Sequence, residues 1–146
     1  MPFVVRWPGR VKAGVSPALI SQVDLAASLA ALARVPLPDG AAPDSINVLP
    51  ALLGDSVTGR DHAIIQGIQD FALREGPWKF IPPGHRDVRD GLDAIKQTRQ
   101  QVNPPGLLFN LAADPAERED LAARELERVA AMAQKLDQLR SAPAKP

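Results

Sequence analysis

The sequence predicts an α+β fold in which short antiparallel strands carry a long C-terminal helix across one face. Three observations predict it. Apolar runs at 62–67, 71–75 and 78–81 follow one another with only tight turns between them, which favours antiparallel pairing. A further run at 107–111, apolar with one aromatic, stops at Asp114-Pro115, where proline fixes φ and biases its neighbour toward extended backbone. From 116 to about 140, Leu121, Leu126, Val129, Met132, Ala133, Leu136 and Leu139 recur on one side of a helix.

The elements follow in order. Residues 3–7 read as a strand stopped by Pro8-Gly9, and so apolar a strand with nothing before it to pair with suggests part of a larger sheet. A helix is predicted over 21–34, with Ser21 as N-cap, Asp24 where the helix dipole favours an acid, and Leu25, Ala26, Leu29, Leu32 and Ala33 as its apolar face. Pro36, Pro38, Gly40 and Pro43 make a stiff loop, and 48–53 is a short helical stretch ended by Gly54. Gly76-Pro77 turns the chain into the strand at 78–81, whose Trp78 and Phe80 share a face. Pro82-Pro83-Gly84 opens an insertion over 82–106, in which Val88, Leu92, Ile95 and Val102 allow a polar helix. Asp114 then caps the last helix, with Pro115 at its first position and Glu117 completing a capping box. Residues 141–146 are a frayed tail.

Composition narrows the function. Seventeen basic and 17 acidic residues cancel and are interspersed, so no global charge favours nucleic acid or an anionic membrane. Cysteine is absent from the 146 residues, which removes disulfides, thiolate zinc sites and a cysteine nucleophile together, and gives no compartment. No basic stretch followed by a long apolar one marks a signal peptide, and no apolar run approaches the ~20 residues of a membrane helix. A soluble globular piece is expected, with its localisation left open.

Several segments, in order, resemble the C-terminal part of a type I, arylsulfatase-like sulfatase of the alkaline-phosphatase-like superfamily. The stretch from Met1 to Gly14 is similar to the family's "VPF-hydrophobic-RWPG-x-hydrophobic" run. Ser21-Gln22-Val23-Asp24-Leu25 resembles its "S-x-x-D-hydrophobic" helix start, and Ala42-Pro43-Asp44-Ser45 with Leu49-Pro50-Ala51-Leu52-Leu53-Gly54 its linker and short helix. Gly76-Pro77-Trp78-Lys79-Phe80-Ile81 and Leu108-Phe109-Asn110-Leu111 with Asp114-Pro115-Ala116-Glu117 resemble its two closing strands. The resemblance implies a four-stranded antiparallel sheet with the C-terminal helix against it, as a small subdomain. It also implies that residues 1–54 are the edge of a large α/β domain, and 55–146 the subdomain with its insertion.

Family chemistry, as the resemblance implies it, uses a formylglycine made from Cys-x-Pro-Ser-Arg and a calcium ion, both before the "VPF" stretch. This sequence has no cysteine, and Ser141-Ala142-Pro143-Ala144-Lys145 lacks the motif's Ser and Arg. No catalytic residue and no metal ligand carries over, and no cofactor is expected in this chain; calcium and formylglycine belong to full-length relatives.

Two histidines limit other chemistry. His62 opens a strand and is read as structural; His85 and Arg86, borne on the insertion, are candidate substrate-proximal residues. Asp87, Asp90 and Asp93 with His85 make a conceivable cation set without the EF-hand pattern. The expected function is an inert C-terminal fragment or subdomain of a sulfuric ester hydrolase, partnered by an N-terminal sulfatase catalytic domain if separately encoded. One alternative is a self-associating interaction module, a homo-oligomer through residues 3–7 or the last helix. A weaker one is an acid/base or metal enzyme centred on His85.

Overall fold

The computed structural model describes residues 3–66, 71–89 and 97–141, with 85–89 and 97–100 described by backbone alone. The chain divides after Asp61 into two compact units.

Unit 1 is rich in loops. It contains helix α1, Asp24–Ala33, and the single turn α2, Leu49–Leu52, with proline near its start. Residues 3–7 form no strand, contrary to the expectation. A strand needs a ladder partner, and after Trp7 the chain curls instead, its carbonyl accepting from Arg10 and Val11 N–H groups. The predicted start of α1 is also corrected. Ser21 makes no side-chain cap; the helix begins three residues later, and the Asp24 carboxylate reaches back to the Ser21 N–H at 2.9 Å. The helix ends without glycine, at Arg34 in the left-handed region (φ 56°), with the Val35 N–H returning to the Ala30 carbonyl.

Unit 2 is built on four antiparallel strands, β1 at His62–Gln66, β2 at Phe71–Glu75, β3 at Trp78–Ile81 and β6 at Leu107–Asn110, in the sheet order β1-β2-β3-β6. Glu75 pairs with Trp78 across the two-residue Gly76-Pro77 turn, and Trp78 pairs with Asn110 at the far side of β3. Alternation along the strands gives two faces. Leu73, Phe80 and Leu108 point to one, where Val129, Met132 and Leu136 of helix α3, Leu126–Ser141, cover them. Ala72, Ile81 and Phe109 point to the other and pack with Val102. Strands β2, β3 and β6 thus bury apolar side chains on both faces of the sheet, and the helix covers one face as predicted.

Two elements differ from the sequence reading. The insertion is a second, two-stranded sheet, β4 at Gly84–Arg89 and β5 at Gln97–Val102, and not a helix; Leu92 and Ile95 lie outside the described residues. Turn residues at both ends, Pro82-Pro83-Gly84 and Asn103-Pro104-Pro105-Gly106, bring the chain back beside itself. Gly106 is required there. It has φ 110°, and a Cβ would lie 2.6 Å from the Ile81 carbonyl oxygen and 2.8 Å from the Phe80 ring.

The last helix begins at Leu126, ten residues after the expected start. Asp114 does accept backbone N–H groups, from Arg118 at 2.6 Å and Glu119 at 2.8 Å, but the segment it caps is a turn. Glu117 sits at φ 55°, a left-handed residue no helix interior admits, and its carboxylate accepts from Lys79 at 2.7 Å. Asp120 accepts from the Leu108 N–H at 3.0 Å, while the Leu121 N–H donates to the Leu108 carbonyl at 2.8 Å. The segment therefore satisfies the outer edge of β6. Leu121 packs against the core as expected, whereas Leu126, expected on the buried side, is exposed.

Candidate functional site

Three places hold enough polar side chains to be weighed. The first is the β4–β5 hairpin with the predicted His85 and Arg86. Register sets His85 opposite Gln101 and Arg86 opposite Gln100. Their side chains, and the residues Asp90 and Asp93, lie outside the described residues. His62 opens β1 opposite Glu75, in the other sheet, so the two histidines share no strand pairing.

The second place is a buried polar knot in unit 1 that sequence reasoning missed. Asp24 and Ser28, one helical turn apart on α1, are completely buried. The Asp24 carboxylate accepts from the Ser21 N–H, from the Ile46 N–H at 3.1 Å and from the Arg60 guanidinium at 2.6 Å. Ser28 accepts from the Val48 N–H at 3.0 Å, and Ser45 accepts from the Ala27 N–H at 2.9 Å. Arg60 also donates to the Asp44 carbonyl. Its place is set by Gly59, where a Cβ would overlap the Leu19 carbonyl oxygen at 2.1 Å, and by its own N–H bond to that carbonyl at 2.7 Å. Most of these bonds tie α1 to the 44–48 loop or to Arg60, so the knot orders backbone and its carboxylate and hydroxyls are already engaged. The traces in the sequence are Asp24 at the helix start and Ser28, polar among the apolar residues that follow it.

The third place is a groove of about 360 Å³ in unit 2, lined by Trp78, Glu75 and the first turns of α3. Its charges answer one another. Arg128 stacks 4.2 Å from the Trp78 ring centre and lies 3.4 Å from Glu125, and Lys135 pairs with Glu75. The groove contains no histidine, serine or threonine to act as nucleophile or base. Among the described residues no three His, Asp or Glu side chains gather as a cation site.

Comparison with known proteins supplies what the side chains do not. No protein-family model matches the chain. It is 36% identical over 142 residues to an N-acetylgalactosamine-6-O-sulfatase of Bacteroides thetaiotaomicron, covering 97% of this chain and 27% of that protein. It is 32% identical over 132 residues to human arylsulfatase A, covering 82% of this chain and 25% of the relative. A solved structure from the glycosaminoglycan-metabolism locus of B. thetaiotaomicron superposes with a TM-score of 0.77 at 35% identity, over 97% of this chain and 29% of that one. The PsFucS1 sulfatase of Pseudoalteromonas, at 23% identity and a TM-score of 0.72 over 92% of this chain and 28% of that one, shares the fold. The chain thus spans about a quarter of the length of the curated relatives it matches, and the match falls in their C-terminal part. By sequence and by fold the chain belongs with the sulfatases, as a homologue of their C-terminal region.

Proposed function

We propose that these residues are the C-terminal subdomain of an arylsulfatase-like sulfuric ester hydrolase and are catalytically inert by themselves. The observation that carries this reading is the 36% identity across 97% of the chain to the C-terminal part of a sulfatase. Formylglycine and calcium, which the resemblance implies for full-length relatives, do not fit the residues present. The 146 residues offer no cysteine or serine motif to mature, and the described residues gather no cation-binding set. No reaction step is assigned to them.

Within a complete enzyme, unit 2 supplies a sheet packed on both faces, together with the β4–β5 hairpin that carries a histidine and an arginine. Imidazole and guanidinium donors suit a sulfated sugar, and His85 and Arg86 are proposed as substrate-proximal residues on that ground. The test is turnover of a chromogenic aryl sulfate by the purified chain with added calcium. No turnover above buffer is expected. Real turnover, lost in His85→Ala, would replace this reading by an independent site on the hairpin.

A further inference from the structure

The register of the β4–β5 hairpin divides the two residues singled out above. Successive strand residues fall on opposite faces of a sheet, and residues directly across from one another share a face. His85 opposite Gln101, Asp87 opposite Arg99 and Arg89 opposite Gln97 therefore make one face of the two-stranded sheet. Arg86 opposite Gln100 and Val88 opposite Thr98 make the other, together with Val102. Val102 is 2% exposed and packs with Ala72, Ile81 and Phe109, whereas its neighbour Gln101 is exposed. At this end of the hairpin the Val102 face turns to the four-stranded sheet and the Gln101 face turns away from it.

We infer that the face holding His85, Arg89 and Arg99 receives an acidic saccharide, one that carries a sulfate or carboxylate beside the ester to be cleaved. The assignment rests on the reading proposed above and ranks His85 over Arg86 within it. All six positions of this face are polar, and their chemistry is selective. The planar fork of arginine matches a sulfate or carboxylate, and the glutamine amides both donate and accept, as sugar hydroxyls do. Asp87 stands opposite Arg99, a cross-strand charge pair, whereas Arg89 stands opposite an amide and not an acid. The row from 85 to 89 runs about 13 Å, longer than a single sulfate group, so it suits a ligand with several polar groups in line. Other ligands fit less well. Neither strand contains an aromatic residue on which a base would stack or a protein interface would centre. Two arginines beside an acid are also too few cations for a run of phosphates.

The test titrates the full 146-residue chain by calorimetry with a sulfated, uronate-containing tetrasaccharide. Neutral cellotetraose and inorganic sulfate are the comparison ligands. Binding at least tenfold tighter than to either is expected. Arg89→Gln is expected to weaken it about tenfold, the worth of one charge-assisted hydrogen bond, and Arg86→Gln to weaken it less. Arg124→Gln, an exposed arginine on a different segment of unit 2, is the control and is expected to change affinity by less than twofold. Circular dichroism confirms that each variant folds. Equal losses in all three variants would mean diffuse attraction and overturn the face, as would a loss in Arg86→Gln that matches Arg89→Gln. Equal affinity for the neutral sugar overturns the acidic group, and equal affinity for inorganic sulfate overturns the saccharide. No binding overturns the site. Each of these results leaves the sulfatase reading standing; that reading fails separately, by turnover of the aryl sulfate by the chain alone.

Discussion

Asp24 concentrates more consequence than any other residue. It has no solvent exposure, and three donors converge on its carboxylate. Asp24→Ala would leave the Arg60 charge, 17% exposed, without that partner and two backbone N–H groups unsatisfied. Breaking such a pair costs about 3–5 kcal/mol. Urea unfolding is expected to show a loss of that order, with Asp24→Asn falling between. A loss below about 1 kcal/mol would mean that water replaces the carboxylate. Asp114 makes a different prediction. The Glu119 N–H first, then those of Arg118 and Ala116 and the Arg118 charge, hold its carboxyl below the ordinary value of 3.8. A depressed folded value means that the contribution is present above the unfolded value and is lost as pH falls through the folded one. Asp114→Asn is therefore expected to lower the melting temperature near neutral pH, and the gap should close in acid below about pH 3.8. A gap constant with pH would show that the ionised carboxylate is not what holds the turn.

Elements are legible where local chemistry sets them. Residues 62–81 declare a meander because Gly76-Pro77 can only turn and the flanking runs alternate. Residues 107–110 stop where Leu111 ends the apolar run. The hairpin of the insertion is not legible, since its strands Gly84–Arg89 and Gln97–Val102 are polar and owe their form to pairing with each other. The start of α3 escapes the sequence because Asp114-Pro115 has the chemistry of a helix cap and of a turn alike; the Lys79 pairing of Glu117, 38 positions away, goes with the turn. The apolar residues of α1 are legible as a set, but the side they face is not, since only Arg60, 36 positions downstream, fixes which side turns inward. The same reasoning orders two substitutions on α3. Leu136, 1% exposed between the sheet and the helix, is expected to lose about 2–5 kcal/mol as alanine. Leu126, exposed at the first position of the helix, is expected to change stability by within ~0.5 kcal/mol as alanine. Equal effects in chemical denaturation would contradict a helix that begins at Leu126 with that side chain in solvent.

At the scale of the whole molecule, the two units divide the work unequally. Unit 2 closes its own core on both faces of its sheet, while unit 1 buries the polar Asp24 and Ser28 and leaves many of its apolar side chains exposed. Composition could not foresee this, because a count of apolar residues says nothing of which unit buries them. The candidate site divides in the same way. His85 and Arg86 stand out in the sequence as a loop-borne pair but lie on strand β4, the Asp24 knot is not legible, and family membership comes from the order of the segments and not from any catalytic group.

The bonds that Asp120 and Leu121 make to Leu108 have one more consequence. They close the β6 margin, so among the described residues the four-stranded sheet is open only along β1. A ribbon with one margin closed in this way cannot polymerise by stacking margin to margin. Two copies joined along β1 would present only the β6 sides outward, which would end growth at a pair. Among the described residues, the bonds of 120–121 to Leu108 leave the β1 side as the one along which a further strand would pair.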